Sequence, residues 1–95
     1  MANINPGDCY EFDPFHYRNT TRQLTHAQHG AYRLLIDHCM MGNGYLPSNR
    51  LFVYRLVSAM DSEEQRNVDE IISLYFRKSA KGFKPLRKFN YVPLP

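Results

Sequence analysis

The spacing of apolar residues predicts three helices between residues 25 and 76. Apolar residues recur at three- and four-residue intervals within 25–41, as they do on one face of an α-helix. A shorter stretch of similar character predicts a second helix over 48–59. The third helix, over 62–76, carries the most regular stripe in the chain, which consists of Val68, Ile71, Ile72, Tyr75 and Phe76.

Polar residues mark the ends of these helices. Thr25 and Gln28 have the spacing of a capping box, in which each side chain bonds to the backbone N–H of the other residue. Ser62 and Gln65 have the same spacing at the start of the third helix. The two glycines within residues 42–44 end the first helix, since glycine readily adopts the left-handed conformation that follows a last turn.

An aromatic lead-in, residues 1–24, precedes the helices, and an Asp-Pro pair within it favours a short helical turn. We expect this segment to pack across the helices that follow. Gly30 lies inside the first predicted helix, where glycine costs about 1 kcal/mol relative to alanine. This cost predicts that another segment packs closely against Gly30, most simply the lead-in around Phe12 and Phe15.

Two short extended runs follow the third helix. They flank residues 79–82, a connection that ends in Gly82, and predict a β-hairpin over 76–88. Pro85 has no N–H to donate, which predicts that the second strand lies at the edge of its sheet. Three helices and a terminal hairpin favour a winged helix over a bare three-helix bundle.

The predicted fold class is therefore mainly α with a small β-hairpin, and it is winged-helix-like, with three helices and a C-terminal wing. The length predicts a single domain over residues 1–95. Within it, residues 48–76 would form a helix-turn-helix, and residues 77–95 would form a basic wing and tail.

The net charge of +3 conceals an asymmetry along the chain. Residues 1–76 carry six basic and nine acidic side chains, whereas residues 77–95 carry six basic side chains and no acidic one. Such a segment suits contact with phosphates or with an acidic protein surface, and it also protects an edge strand from unwanted pairing. The basic residues are Arg77, Lys78, Lys81, Lys84, Arg87 and Lys88.

Composition argues against two classes of protein. The hydrophobic fraction of 43% and the charged fraction of 22% are typical of a folded chain and not of a disordered one. No run approaches the ~18 apolar residues of a membrane span, and the N-terminus lacks the pattern of a secretory signal. We therefore expect a cytoplasmic protein without membrane contact, in which Cys9 and Cys39 are reduced.

The residue types that support catalysis or metal binding lack the spacing that this chemistry needs. His26 and His29 share a helix face, but no second pair of ligands accompanies them. We interpret His26 as a surface residue and His29 and His38 as residues at packing boundaries. Cys39 follows His38 directly, which turns the two side chains about 100° apart on a helix. We expect a protein that is not an enzyme, with no metal and no cofactor.

Four motifs occur in order along the chain: Gln23-Leu24-Thr25-x-x-Gln28-His29-Gly30-Ala31-Tyr32, Gly44-Tyr45-Leu46-Pro47, Tyr75-Phe76 and Gly82-Phe83. Together they resemble the YdaU-like family, a phage- and prophage-borne domain of unknown function that is often found at the N-terminus of putative phage replication-initiation proteins. The resemblance implies a winged-helix-like fold, here as a stand-alone copy in a bacterial host cell, and no established catalytic residues.

Two functions fit these observations. The first is a replication-associated protein that contacts the nucleic-acid backbone through the basic wing. Base reading by the third helix is not expected, because its exposed residues are mostly acidic. The alternative is a protein–protein interaction module that acts on a host or phage nucleoprotein, such as an anti-CRISPR inhibitor of a bacterial immune effector. Its interface would include Glu63, Glu64, Arg66, Asp69 and Glu70.

Overall fold

The computed structural model describes residues 9–10, 13–87 and 91–92, which form four helices and two small antiparallel sheets. The helices are α1 (Pro14–Thr20), α2 (His26–Met41), α3 (Arg50–Leu56) and α4 (Ser62–Tyr75). The strands are β1 (Cys9–Tyr10), β2 (Phe76–Ser79), β3 (Gly82–Pro85) and β4 (Tyr91–Val92). Four helices with a β2–β3 hairpin confirm the predicted fold class. No helix within these ranges is long and apolar enough to cross a bilayer.

The core lies where α2 and α4 pack against each other and against the base of the hairpin. The apolar stripe of the third predicted helix is confirmed, since all its members except the half-buried Tyr75 are buried. α3 contributes mainly through Val53, which is fully buried. The largest fully buried side chains include Leu35, Ile36, Leu46, Val53, Val68 and Ile71.

The ends of α2 follow the sequence-based prediction. Thr25 Oγ1 accepts the Gln28 N–H at 3.1 Å, and Gln28 Oε1 accepts the Thr25 N–H at the same distance. At the other end, the N–H of Gly44 bonds to the Cys39 carbonyl at 2.9 Å. Gly44 has a φ of 91°, which glycine adopts without steric cost, so the chain turns sharply after α2.

α4 begins at Ser62, as predicted, but its capping box lies one residue earlier than expected. Its capping box consists of Asp61 and Glu64, not of Ser62 and Gln65. The prediction was wrong because Asp61, directly before Ser62, also carries an oxygen that can cap a helix. The Asp61 carboxylate accepts the Glu64 N–H at 2.8 Å, and it therefore fixes the first residue of the helix at Ser62.

α3 is shorter than the helix predicted over 48–59. Its N-cap is Asn49 and not Ser48. The helix ends at Leu56 because the backbone turns at Ser58, whose φ of 58° lies in the left-handed region. No sequence signal marks this turn, because serine rarely adopts such a conformation.

A bridge between Leu46 and Phe83 adds a third extended segment to the hairpin. The Leu46 N–H donates to the Phe83 carbonyl at 2.8 Å, and the Phe83 N–H donates back at 2.9 Å. β3 is an outer strand of the two-stranded β2–β3 sheet, as predicted, and the bridge adds one backbone neighbour on its outer side at Phe83. Pro85 fits because it is the last residue of β3, beyond this bridge. The order α2, Leu46, α3, α4, β2, β3 is that of a winged helix.

The described part of the lead-in packs through Tyr17, and Phe15 is exposed. Tyr17 of α1 stacks on Tyr32 of α2 with ring centroids 5.7 Å apart, and Tyr32 stacks on Tyr75 of α4 at 4.6 Å. The Tyr75 hydroxyl also donates to the Thr20 carbonyl at 2.9 Å. These contacts attach α1 to the two longest helices.

The two short outer strands pair with each other. β1 and β4 run antiparallel, with Cys9 opposite Val92 and Tyr10 opposite Tyr91. This pairing joins the segment before α1 to the segment after the hairpin. No sequence pattern predicted β4, because two residues are too few to show a periodicity.

Gly30 is not a point of close packing, which corrects the prediction made from the sequence. Among the described residues, no heavy atom outside its own helix backbone lies within 4 Å of the position that its Cβ would occupy. Phe15 is 83% exposed, and Phe12 lies outside the described residues. The space is open because this part of α2 borders a shallow groove toward the turn between α3 and α4.

Replacing Gly30 by alanine is expected to stabilise the protein by about 0.5–1 kcal/mol. The methyl group meets no neighbour, while alanine restricts the unfolded chain and favours the helix. Urea denaturation should show a higher midpoint with an unchanged slope. A lower midpoint would show that another segment does press on this position.

Candidate nucleic-acid interface

The β2–β3 hairpin presents four of the six predicted basic residues at the surface. Arg77, Lys78, Lys81 and Lys84 are all exposed. None of the four forms an ion pair with another described residue. Their positive charge is therefore available to an external anion.

The strand register brings two of these cations face to face. Arg77 lies opposite Lys84, and Lys78 lies opposite Phe83. Directly opposed side chains on an antiparallel pair have Cβ atoms about 4.5–5.5 Å apart, and like charges in this arrangement destabilise the pair. A phosphate bound between Arg77 and Lys84 would remove that repulsion. The hairpin thus bears an electrostatic cost that an anionic ligand would relieve.

The loop of the hairpin holds Lys81 in a defined position. The Ser79 hydroxyl donates to the Gly82 carbonyl at 2.9 Å and accepts the Lys81 N–H at 3.3 Å. The Lys81 ammonium group lies 5.8 Å from the centre of the Tyr45 ring, within the range of a cation–π contact. The tip of the hairpin is therefore tied to the segment that follows α2.

The structure places the other two predicted cations differently. Arg87 is half-buried and follows β3. Burial raises the pKa of Tyr32 to about 12, and the nearby positive charge of Arg87 opposes this rise. Arg87 thus lies close to the tyrosine stack and is less accessible than the hairpin cations. Lys88 lies outside the described residues.

The expected stacking partner inside the hairpin is already engaged. The Arg50 guanidinium lies 5.1 Å from the centre of the Phe83 ring, and Phe83 packs against the core. Phe83 therefore has a structural role. Phe89, the next aromatic residue of the basic segment, is outside the described part of the chain.

The acidic residues of α4 are largely committed to contacts within the protein. Glu64 closes the capping box and also accepts the Met60 N–H at 2.9 Å. Glu70 accepts a hydrogen bond from the side-chain amide of Gln28 on α2. Glu63 and Arg66 are exposed. The hydrogen bonds to Glu64 and Glu70 come from neutral donors and leave both carboxylates charged, so the outer face of α4 still repels phosphates.

Asp69 joins α4 to α3. Its carboxylate accepts hydrogen bonds from the Arg50 guanidinium and from the Tyr54 hydroxyl, the latter at 2.7 Å. Burial raises the pKa of Tyr54, and the hydrogen bond to the Asp69 carboxylate adds to the rise. Of the four predicted acidic residues, Asp69 and Glu70 therefore join α4 to other helices, and Glu64 caps α4 itself.

Sequence reasoning missed an exposed apolar face on α3. Leu51 is 65% exposed and Phe52 is 54% exposed. The short helix turns only one side, through Val53, toward the core. Soluble proteins rarely expose large contiguous apolar patches without an interaction to make. The exposed set on and just after α3 comprises Leu51, Phe52, Leu56 and Met60.

The histidines and Cys39 occupy structural positions. His26 is exposed, whereas His29 and His38 are half-buried, as the sequence predicted. Cys39 is a buried free thiol, and burial raises its pKa to about 12. It therefore stays protonated and unreactive at neutral pH. Within the described ranges, no three His, Cys, Asp or Glu residues cluster as metal ligands.

Comparison with known proteins places the chain in a family. Residues 9–84 match a family described as "Protein of unknown function (DUF1376)". The chain belongs to the DUF1376 family. The DUF1376 match begins at β1 and ends within β3, so it includes all four helices and the hairpin as far as Lys84.

Neither the curated proteins nor the solved structures contain a significant match to this chain. Since the DUF1376 description states no activity, the function of this member has to be argued from its own surface.

Proposed function

We propose that this DUF1376 protein is a non-enzymatic binding protein that contacts nucleic-acid backbones through its basic hairpin. The observation that carries the proposal is the arrangement of Arg77 directly opposite Lys84, flanked by Lys78 and Lys81, with no ion pair to a described carboxylate. The YdaU-like resemblance supports a phage or prophage origin and a replication-associated role in the bacterial cytoplasm.

The hairpin suits this role because it is rigid. Phe76 anchors β2 in the core, and the Leu46–Phe83 bridge holds β3 from the other side. The cations therefore project from a fixed frame with a constant spacing. Contacts of this kind position a nucleic acid but carry no base information. Binding should accordingly depend on salt and hardly on sequence.

The test is a variant with all four exposed hairpin cations changed to glutamine (R77Q/K78Q/K81Q/K84Q). Each lost phosphate contact lowers the log–log salt slope on duplex DNA by about 0.9, so the slope should fall by up to ~3.6. Fluorescence anisotropy titrations over a range of salt concentrations measure this slope. Two unrelated duplex sequences should give nearly equal affinities.

Single substitutions provide a matched control. K84Q removes one hairpin cation and should lower the slope by up to about 0.9. R55Q removes one exposed cation from α3, outside the hairpin, and should leave the slope unchanged. If the unmodified protein shows no binding at about 50 mM salt, where electrostatic contacts are strong, the nucleic-acid proposal is overturned.

A second candidate function is a protein interaction on a nucleoprotein complex, such as inhibition of a bacterial immune effector. The apolar face of α3 favours it, because Leu51, Phe52 and Leu56 offer the kind of surface that a protein partner buries. The exposed residues Glu63, Arg66 and Glu70 would extend that interface along α4. A specific partner captured from nuclease-treated host lysate, and lost on changing Phe52 to serine, would favour this function over the first.

A further inference from the structure

A cleft outside the hairpin brings two arginines, an asparagine and a histidine together beside an exposed phenylalanine. It lies between α1 and the start of α2 and has a volume of about 720 Å³. Small-molecule sites typically measure about 300–1,000 Å³, so the cleft has the size of a ligand site. Among the described residues no carboxylate lines it, and the described lining residues are Phe15, Arg18, Asn19, Thr21, Arg22 and His29.

The two arginines supply the charge. Arg18 and Arg22 are exposed, and neither forms an ion pair within the described ranges. A guanidinium group presents donors in a planar fork that matches the oxygens of a phosphate. Two such groups on one cleft wall favour an anion with several oxygens over a simple carboxylate.

His29 adds a donor with a defined direction. Its Nδ1 lies 2.8 Å from the Tyr17 hydroxyl. Burial raises the pKa of Tyr17, so this hydroxyl keeps its proton and can donate it to Nδ1. In that arrangement the proton of a neutral imidazole sits on Nε2, which is then a donor. His29 can thus contribute an N–H donor beside the arginines.

Phe15 supplies an apolar surface beside these donors. At 83% exposure it is the most exposed large apolar side chain in the described part of the protein. Its place at the mouth of a basic cleft gives a reason for this exposure, because an aromatic ring next to arginine forms a platform on which a nucleobase can stack.

We propose that this cleft binds a 5′-nucleotide, with the phosphate on Arg18 and Arg22 and the base against Phe15. The same chemistry fits a free nucleotide and the 5′-phosphorylated end of a nucleic-acid strand. None of the lining residues belongs to the hairpin, so the inference does not rest on the function proposed for the hairpin.

The first experiment titrates the full chain with AMP and follows its backbone amides by NMR. Saturable shifts are expected at Arg18, Arg22 and His29. The R18Q/R22Q variant should weaken AMP binding by about tenfold or more, since it removes two charge-assisted contacts. F15A should weaken AMP binding by about tenfold while leaving the binding of inorganic phosphate unchanged.

The matched control is R55Q, which removes one exposed positive charge from α3, outside both the cleft and the hairpin, and is compared with the single variant R18Q. R18Q should weaken AMP binding, and R55Q should leave it unchanged. Equal weakening by R18Q and R55Q, or AMP shifts confined to the hairpin, would show that AMP does not bind in the cleft and would overturn the proposal. All of the substituted residues are exposed, so each variant is expected to fold.

A second experiment separates the two sources of the nucleotide. Single-stranded oligonucleotides with a 5′-phosphate or a 5′-hydroxyl are compared on the unmodified protein and on R18Q/R22Q. A preference for the 5′-phosphate that R18Q/R22Q abolishes assigns the cleft to strand ends. AMP binding without this preference assigns it to a free nucleotide. If AMP binds in the cleft but the hairpin variants bind nucleic acid as tightly as the unmodified protein does, the function proposed for the hairpin is refuted. The proposal for the cleft then stands.

Discussion

Replacing Gly82 by alanine is expected to destabilise the protein by about 2–4 kcal/mol. Gly82 begins β3 with a φ of 129°, a conformation that side chains with a Cβ rarely adopt. In addition, a Cβ at this position would lie 2.0 Å from the Leu46 carbonyl oxygen. That oxygen belongs to the bridge that holds the hairpin to the helices, so the backbone cannot give way without breaking the bridge.

Gly42→Ala provides the matched control, since it makes the same chemical change elsewhere. Gly42 has a negative φ, and the nearest atom to its Cβ position lies at an ordinary contact distance of 3.4 Å. Urea denaturation of both variants measures the difference. Gly82→Ala should lower the midpoint strongly, whereas Gly42→Ala should change stability by less than about 0.5 kcal/mol. Similar midpoints for the two variants would show that the Leu46 bridge is not needed for stability.

The parts of the fold that local patterns determine could be predicted from the sequence. The capping box at Thr25 and the apolar stripe of α4 involve residues within two turns of one another, so their spacing is visible along the chain. The end of α3 could not be predicted in this way. It depends on a left-handed Ser58, for which serine carries no strong signal.

Contacts between distant segments were the main source of error. The edge position inferred from Pro85 holds for the two-stranded sheet, but no sequence pattern indicated the bridge from Leu46, which lies 37 residues before Phe83 in the chain. Gly30 was expected to be crowded because glycine costs stability inside a helix. The helix tolerates that cost, and no close packing accompanies it.

In the candidate site, too, local features could be predicted from the sequence and contacts between distant residues could not. The basic character of residues 77–84 could be read directly from the sequence, and the structure adds only the register that sets Arg77 against Lys84. The acidic residues of α4 could not be assigned from the sequence. Asp69 and Glu70 bond to Arg50 and Gln28, which are 19 and 42 residues away along the chain. The cleft beside α1 requires Arg18 and His29 to converge on one side of the tyrosine stack.

Changing Ile71 to alanine is expected to cost about 2–5 kcal/mol, the largest effect of a single core truncation in α4. Ile71 is completely buried in the cluster that also contains Leu35 and Val68. Removing three carbon atoms there loses apolar burial and leaves a cavity, because the two packed helices cannot collapse fully into the space. A loss of this size is a large part of the total stability of a domain of 95 residues.

Leu74→Ala provides the comparison on the same helix. Leu74 is 51% exposed, so its truncation removes carbon atoms that are already partly in water and leaves no enclosed cavity. Its cost should stay below about 1 kcal/mol. Thermal and urea denaturation of both variants measure the contrast. Equal losses of stability in the two variants would mean that α4 does not turn Ile71 toward α2. The hairpin that follows α4 would then lack a fixed base for its cations.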